Sequence, residues 1–335
     1  MAHDEPSLDL VWNLLTGYQQ TAALKAATEL DLFTLIGEGA DRIPALAKRS
    51  AASERGLRIL CDHLAVVGLL TRAGDRYGLS STAGAFLDRR SPAFVGSATT
   101  FIASPHVVDA FAHLTDAVRR GGAGETNSSL APEHPMWITF ARAMAPLAGF
   151  VSGLLANQLD VEKMPACKAL DVAAGHGMYG IAIAKTNPRA EVTALDWASV
   201  LTVARENAAT AGVGDRFRTI AGSAFEVDWG TGYDLVLLPN FLHHFDVAGC
   251  ETILARAHAA LKPGGRVVIP EFVPDDDRRG PANAVGFAIV MLASTPGGDA
   301  YTFAEYEGML RRTGFTDAAL HELIPSPQRV VVARR

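Results

Sequence analysis

The sequence predicts an α/β protein in two parts: an α-helical N-terminal region, and a C-terminal half built on a mostly parallel sheet that ends in an antiparallel hairpin. Three observations indicate this architecture. From about residue 165, short apolar runs alternate with helical patterns, which is typical of strands covered by helices on both faces. The tail holds two strand-like runs, DAALHELI and QRVVVARR, separated only by PSP, a spacing that suits an antiparallel hairpin. Upstream of residue 160, apolar residues recur at helical spacing instead.

The N-terminal elements follow the order helix, turn, helix, β-wing. Apolar residues recur at helical spacing through 8–37, and IPALAKRSAASERGLRILCDHLAVVGLL predicts a short helix, a turn and a longer helix. The next segment, LLTRAGDRYGLSSTAGAFL, predicts a hairpin around Ala73-Gly74-Asp75 and then a further turn. This order is a winged-helix pattern, which we assign to residues 1–100.

A helical linker over residues 101–160, interrupted by a polar, glycine-rich loop at 119–135, leads to the sheet domain of residues 161–335. Because helical patterns separate its apolar runs, the consecutive strands of that domain are expected to be parallel. The strands are expected at 168–173, 190–196, 217–221, 233–239 and 265–272, with helices at about 178–187, 199–211 and 248–261.

The bulk composition limits the classes of function. A formal net charge of −6 argues against a nucleic-acid-binding surface. Cys61, Cys167 and Cys250 lie far apart, without C-x-x-C spacing, and are expected to be reduced and buried. The N-terminus MAHDEPSLDL lacks a secretory signal pattern, and no apolar stretch approaches the ~18 residues of a membrane helix. We therefore expect a cytoplasmic protein with no membrane, nucleic-acid or metal partner.

The segment ALDVAAGHGMYGIAIA (169–184) combines a glycine turn with an acid in an unusual place. Its GHGMYG matches G-x-G-x-x-G, which alone is weak evidence because glycine after a strand also begins an ordinary tight turn. Asp171 stands inside the strand, where a carboxylate is costly if it is buried without a partner. S-adenosylmethionine (SAM) would pair it, since SAM carries an α-ammonium group and a sulfonium. We therefore expect SAM at this turn, held by Asp171, Gly175 and Gly177.

Residues at the next two strand ends complete the expected cofactor site. Asp196 ends the second strand, where nucleotide-binding sheets grip a ribose diol, and Trp197 is placed to lie against an adenine ring. Ser199 suits the N-cap of the helix that follows. The segment GSAFE (222–226) ends the third strand, and the residues expected near the adenine are Ser223, Ala224 and Phe225.

These motifs carry a family resemblance. Residues 165–335 resemble class I SAM-dependent methyltransferases: D-x-A-x-G-x-G at 171–177 stands where the family has acid-x-Gly-x-Gly-x-Gly, and LKPGGRVVIPE at 261–271 matches the turn into its fifth strand. With the winged-helix half, the whole chain resembles small-molecule O-methyltransferases of the caffeate type and bacterial relatives in pigment and polyketide pathways. Two positions depart from the family pattern: Ala173 replaces a glycine, and Ser223 replaces an adenine-binding aspartate.

The resemblance implies a Rossmann-like sheet, SAM as methyl donor, S-adenosylhomocysteine as product, and a homodimer built through residues 1–100. It also implies a general base. In LPNFLHHFD, after the fourth strand, His243 matches the family histidine that removes the acceptor proton, and Glu271 matches an acid that supports it. The family's second supporting acid falls at Ala300, so the adjacent Asp299 is expected to take its place.

Two apolar stripes are expected to enclose the acceptor of the methyl group. MWITFARAM (136–144) places its large apolar side chains on one helical face, and FAIVMLAST (287–295) supplies the opposite wall. Together they favour a small, planar, aromatic acceptor. The expected acceptor-binding residues are Trp137, Phe140, Met144, His244, Phe287 and Met291, while Asn240 completes the expected cofactor site.

Three other functions fit parts of the sequence. The missing second acid permits C- or N-methylation, or a non-methylating reaction that uses SAM. A winged-helix DNA-binding regulator is opposed by the acidic net charge, and its recognition helix near 54–67 would offer only Arg55, Arg58 and His63. An NAD-dependent oxidoreductase rests on the glycine motif alone.

Overall fold

A computed structural model of the chain describes residues 6–124 and 133–335. The chain forms two compact units, one up to Pro105 and one from His106 onwards. Each unit has its own hydrophobic core.

The first unit confirms the predicted order of helices followed by a two-stranded wing. A side-chain cap fixes the start of its fourth helix, because the Ser53 hydroxyl accepts a hydrogen bond from the Gly56 N–H. The further turn expected after the wing is instead a short helix, Ser81–Phe86, capped by Ser80. The elements are α1 (Leu8–Glu29), α2 (Leu32–Gly37), α3 (Ile43–Ser50), α4 (Glu54–Val66), β1 (Leu70–Ala73), β2 (Arg76–Leu79), α5 (Ser81–Phe86) and α6 (Thr99–Ile102).

Helix α1 leaves a row of large apolar side chains exposed. Trp12 is 63% exposed and Leu14 is 75% exposed. Contiguous apolar surface of this kind on a folded protein marks a site of association. The exposed side chains of this surface, called the α1 face below, are Leu8, Leu10, Val11, Trp12, Leu14, Leu15 and Tyr18.

The second unit is a seven-stranded sheet in the order β5-β4-β3-β6-β7-β9-β8. Strands β3 to β7 pair in parallel, and β9 runs antiparallel between β7 and β8, as the tail predicts. The strands are β3 (Cys167–Val172), β4 (Ala190–Asp196), β5 (Phe217–Ala221), β6 (Tyr233–Leu237), β7 (Leu261–Glu271), β8 (Thr316–Glu322) and β9 (Arg329–Arg334). The helices are α7 (Pro105–Ala112), α8 (Leu114–Arg120), α9 (Met136–Gln158), α10 (Met178–Thr186), α11 (Ala198–Thr210), α12 (Val247–Ala260), α13 (Ala282–Ser294) and α14 (Phe303–Arg312).

The strand order reverses between β3 and β6. From β3 the chain proceeds outward through β4 and β5, then returns to the other side of β3 to begin β6. Ligands of open α/β sheets bind outside the carboxyl ends of the strands at such a point. This edge of the sheet holds Asp171 on β3, Asp196 on β4 and Glu271 on β7, with the segment 238–246 following β6.

Two features of the helices differ from the sequence predictions. Helix α11 begins at Ala198, with Trp197 as N-cap, so Ser199 lies inside the helix and does not cap it. Helix α9 is 23 residues long and apolar enough to cross a membrane by length and composition, so the expectation of no such stretch was wrong. Core helices share this property, and Val151 and Leu155 of α9 are buried in the cluster that contains Tyr179.

Candidate active site

The glycine turn after β3 takes left-handed backbone angles at three alternate positions. Ala173, Gly175 and Gly177 have φ of 52°, 55° and 73°. A side chain at Gly177 would also meet Ala204 on α11, since an added Cβ would lie 3.0 Å from the Ala204 Cβ. Glycine relieves the left-handed strain at 175 and both constraints at 177, whereas Ala173 carries the cost of a left-handed residue with a Cβ.

Asp171 is fully buried beside the start of α10. Its Oδ2 accepts a hydrogen bond from the Gly180 N–H at 2.9 Å, and Gly180 allows this approach because an added Cβ would lie 3.1 Å from the same Oδ2. Its Oδ1 is buried and has no hydrogen-bond partner among the described residues. Burial raises the pKa of the Asp171 carboxyl to about 8, against the lowering effect of the Gly180 bond, and the Asp196 charge adds to the rise. An unpaired buried oxygen here fits a cationic ligand group.

Asp196 fixes the backbone of the same turn. Its two oxygens accept hydrogen bonds from the Gly175 N–H at 2.8 Å and the Trp197 N–H at 2.6 Å. Burial raises the pKa of this carboxyl to about 6, and the two backbone bonds oppose that rise. The structure therefore brings Asp171 and Asp196 to one turn, and a carboxylate that accepts two bonds keeps lone pairs for a diol.

His176, inside the turn, was not singled out from the sequence. It is buried, and burial lowers the pKa of its imidazole to about 4, so the ring is neutral. Its Nδ1 accepts a hydrogen bond from the Met178 N–H at 3.2 Å, and its ring stacks on Phe140 with 6.1 Å between centroids. Phe140 thus lies over the glycine turn. The only sequence signal for His176 is its place within that turn.

His243 and Glu271 form a buried pair at the opposite end of the site. The His243 Nδ1 lies 2.7 Å from Glu271 Oε2, and the side chains are 5% and 1% exposed. The His243 backbone N–H also donates to Glu271 Oε1 at 3.5 Å. When Nδ1–H donates to the carboxylate, Nε2 carries a lone pair and can accept a proton.

The segment 238–246 that carries His243, called the histidine loop below, is held by hydrogen bonds at several points. The Cys250 thiol donates to the Leu242 carbonyl at 3.1 Å, and the Tyr301 hydroxyl donates to the Phe245 carbonyl at 2.6 Å. Neither partner was predicted, because each lies in a separate helix or loop. These bonds fix the backbone on both sides of the histidine.

Asn240 begins the histidine loop in a left-handed conformation, with φ of 50°. Its Nδ2 donates to the Tyr179 hydroxyl at 3.3 Å, that hydroxyl donates to Gln328 Oε1 at 3.1 Å, and Gln328 Nε2 donates to Asn240 Oδ1. The Asn240 side chain therefore joins α10 to the turn before β9. Its predicted contact with a cofactor stays a prediction.

Aromatic rings continue from α9 across the two histidines to α13. Centroid distances are 5.5 Å from Trp137 to His244, 4.3 Å from His244 to His243 and 4.8 Å from His243 to Phe287. Phe287 in turn stacks on Phe272 at 4.4 Å. The structure thus brings the predicted walls against the histidines, with Met291 buried on α13 and Met144 half-buried on α9.

The adjacent histidine rings lie near each other in the 3₁₀ turn Leu242–His244, whereas neighbouring side chains of an extended chain point to opposite faces. Burial, with the adjacent His243, holds the pKa of His244 well below its usual value, so His244 is neutral. Its Nδ1 is buried without a hydrogen-bond partner among the described residues.

Asp299, which was expected to replace the second supporting acid, bonds to groups other than His243. Asp299 accepts a hydrogen bond from the Ala300 N–H at 2.7 Å and lies 3.5 Å from the Arg278 guanidinium; in the described part of the chain it forms no bond to His243. Burial raises the pKa of Asp299, and Arg278 opposes that rise. Glu271 is therefore the acid that the structure pairs with the histidine.

The predicted adenine segment lies at the end of β5. Ser223 Oγ accepts a hydrogen bond from the Phe225 N–H at 3.2 Å, and the Ala224 carbonyl accepts one from the Trp229 indole at 3.0 Å. The Phe225 ring contacts Phe245 at 5.0 Å between centroids. Trp197, which follows β4 as the N-cap of α11, packs in a small cluster with Trp137. Phe225 thus contacts the histidine loop, and Trp197 contacts α9.

The chain is similar to known proteins over nearly its whole length. The chain matches the O-methyltransferase domain model over residues 111–316 and the O-methyltransferase dimerisation domain model over residues 12–89. It is 30% identical over 332 residues to the tetracenomycin polyketide synthesis 8-O-methyl transferase of Streptomyces glaucescens, covering 97% of this chain and 96% of that protein. It is 31% identical over 312 residues to the 3-hydroxy-5-methyl-1-naphthoate 3-O-methyltransferase of Streptomyces sahachiroi, covering 92% and 89%. The crystal structure of a candidate O-methyltransferase from Nostoc punctiforme superimposes with a TM-score of 0.93 at 48% identity, covering 99% of this chain and 100% of that one.

Proposed function

Because this chain belongs to the O-methyltransferase family, we propose that it methylates a hydroxyl group of a small, planar, aromatic acceptor with His243 as general base. SAM is the methyl donor. The observation that carries the proposal for His243 is its buried Nδ1–Glu271 contact, which leaves Nε2 to accept a proton.

The base is needed because a phenol, with pKa ~10, is mostly protonated at neutral pH. Nε2 of His243 takes the hydroxyl proton as the oxygen attacks. Glu271 fixes the ring orientation and stabilises the imidazolium that forms. A positioned base of this kind contributes ~10²–10⁴-fold to rate.

The residues at the glycine turn fit SAM. The unpaired Asp171 Oδ1 suits the cationic methionine end, and Asp196 suits the ribose hydroxyls. When bound, SAM supplies a methyl group on a positively charged sulfur. The chain's own task is to orient the acceptor oxygen and to exclude water.

The acceptor class follows from the ring contacts. Trp137 and Phe287 lie on either side of the two histidines, and these apolar rings favour a flat aromatic ligand. His244 is neutral and faces the same region, which suits hydrogen bonding to an acceptor oxygen. The relative from Streptomyces sahachiroi is named for a hydroxylated naphthoate, a ligand of this shape.

A screen of phenolic, quinone and indolic acceptors with SAM tests the function. Mass spectrometry should show the gain of one methyl group on a phenolic acceptor, with S-adenosylhomocysteine formed in equal amount. The His243→Ala variant is the matched control. A product methylated on carbon or nitrogen would favour the alternative reactions on this fold, and no methylated product would contradict the proposal.

We also propose that the enzyme is a homodimer formed through residues 1–100. The dimerisation model matches this region, and the α1 face supplies apolar surface for the contact. Sedimentation at micromolar concentration should give about twice the 35.5 kDa chain mass. Replacing Trp12 and Leu15 with glutamate should produce monomers, because the charges would have to be buried.

Val66→Glu provides the matched control for that prediction, since Val66 is 86% exposed on α4, outside the α1 face. The control should remain dimeric. A dimer that survives the α1 substitutions would place the interface elsewhere.

We propose a cytoplasmic location, with no nucleic-acid or membrane partner. The three cysteines are buried and free, which fits a reducing compartment. The formal net charge of −6 opposes contact with nucleic acid.

A further inference from the structure

Gly298 approaches the histidine loop more closely than a residue with a side chain could. An added Cβ would lie 2.2 Å from the His243 carbonyl oxygen and 2.6 Å from Thr295 Oγ1. It would also lie 3.0 Å from the His244 carbonyl carbon. Backbone atoms cannot rotate away as the end of a flexible side chain can, so any Cβ here must displace the histidine loop.

Thr295 fixes Gly298 in this place. Thr295 is fully buried at the end of α13, its Oγ1 accepts a hydrogen bond from the Gly298 N–H at 2.9 Å, and the same hydroxyl donates to the Met291 carbonyl at 2.8 Å. The turn from Thr295 to Gly298, called the brace below, is thereby anchored to α13.

A second close approach supports the brace from the end of α8. A Cβ added to Gly122 would lie 2.2 Å from the Pro296 carbonyl oxygen. The adjacent Ala123 N–H donates to the Thr295 carbonyl at 2.8 Å. The brace is therefore held between a glycine contact to the α8 end and a glycine contact to the histidine loop.

The brace joins two parts of the proposed site. Helix α13 carries Phe287, whose ring lies 4.8 Å from the His243 ring, and the brace at the end of that helix contacts the His243 backbone. We propose that Gly298 is a positioning residue, which sets His243 against Glu271 and against the acceptor wall. This inference rests on the proposed role of His243 as the base.

The test is Gly298→Ala. Displacement of the His243 backbone should lower kcat by up to ~10²-fold, because misplacement of a reacting group by about 1 Å has that effect. Affinity for SAM, measured by calorimetry, should stay unchanged, since Gly298 contacts no residue of the glycine turn among its close neighbours. Gly286→Ala on α13 is the control, because a Cβ there meets nothing within 4 Å, and it should retain wild-type kcat.

A double-mutant cycle separates positioning from a general structural effect. If Gly298 acts through His243, Gly298→Ala should have little further effect on kcat in the His243→Ala background. Equal losses in both backgrounds would overturn the proposal, as would unchanged kcat in Gly298→Ala. If His243→Ala alone retains full activity, the proposed base itself is wrong, which is a different outcome.

A second pair of variants tests the brace without adding a Cβ. Thr295→Val removes the hydroxyl that accepts from the Gly298 N–H, whereas Thr295→Ser keeps it. The valine variant should have a lower kcat than the wild type, with unchanged affinity for SAM. The serine variant should keep the wild-type kcat. Equal kcat in the valine and serine variants would contradict the proposal even if Gly298→Ala does not fold.

Discussion

Replacing His243 with alanine should lower kcat by ~10²–10⁴-fold and leave the affinity for SAM nearly unchanged. The loss is confined to kcat because His243 pairs with Glu271 and not with Asp171 or Asp196 at the glycine turn. Single-turnover rates and calorimetry with SAM measure the two quantities separately.

Variants of Glu271 and His244 measure how much each neighbour of His243 contributes to kcat. Glu271→Gln should give an intermediate loss, because the amide still orients the ring but does not stabilise the imidazolium. His244→Ala should cost less than either, since His244 has no bond to Glu271. If His244→Ala instead removes activity while His243→Ala retains it, the base has been assigned to the wrong residue. Full activity in both would mean that the acceptor needs no base.

Asp171→Asn should weaken SAM binding by about 2–4 kcal/mol, or ~30- to 10³-fold, because a cationic group would then face an amide in a buried place. The amide oxygen can still accept from the Gly180 N–H, so the start of α10 should persist. Asp196→Ala is the comparison, with an expected loss of about 1.5–3 kcal/mol for a hydrogen bond to a charged group. Unchanged affinity in either variant, measured by calorimetry, would remove that carboxylate from the cofactor site.

The raised pKa of Asp171 predicts how SAM affinity depends on pH. With the pKa of Asp171 raised to about 8, most of the ligand-free protein carries a neutral acid at pH 6. SAM binding needs the carboxylate, so affinity should rise by up to ~10-fold per pH unit from pH 6 to about 7.5, below the range where an α-amino group itself loses its proton. In Asp171→Asn this slope should be absent above about pH 7, where Asp196, with its pKa raised to about 6, is already mostly ionised. A wild-type slope identical to that of the variant would contradict the assignment.

The stability of the fold depends on pH in the opposite direction to the affinity for SAM. A carboxyl whose pKa is higher in the folded state than its ordinary 3.8 holds a proton there that the unfolded chain lacks. Stability of the ligand-free protein should therefore fall as pH rises from about 4 to about 8, by up to ~1.4 kcal/mol per pH unit. SAM binding thus requires the charged form of Asp171, whereas the ligand-free fold is more stable with the neutral form. Bound SAM stabilises the charged form by pairing it with a cationic group.

Much of the sheet edge could be predicted because parallel strands end together. Once β3, β4 and β7 were located by their apolar runs, the acids at their carboxyl ends had to meet at one edge. Asp171, Asp196 and Glu271 follow from this rule, and the structure places them so. The short tail hairpin was equally predictable, because three intervening residues cannot hold a crossover.

The supporting contacts could not be predicted, because they join residues remote in the sequence. Tyr179 and Gln328 are 149 positions apart, and neither lies in a sequence motif that predicts contact with the other. The close approach of Gly298 to His243 depends on how two loops stack, which periodicity does not encode. Ser199 was misassigned as a cap because helix ends vary by a residue or two with the turn that precedes them.

The position of β9 has a consequence for synthesis on the ribosome. This strand follows every other strand of the sheet in the chain, yet it lies between β7 and β8. Until it emerges, the backbone N–H and C=O groups of β7 at Val267–Ile269 have no partner on that side, and unpaired strand edges favour association with other chains. Gln328, which holds Asn240 at the start of the histidine loop, arrives with the same strand. A nascent chain can therefore form the glycine turn early, but its histidine loop gains the Gln328 contact only when β9 is inserted.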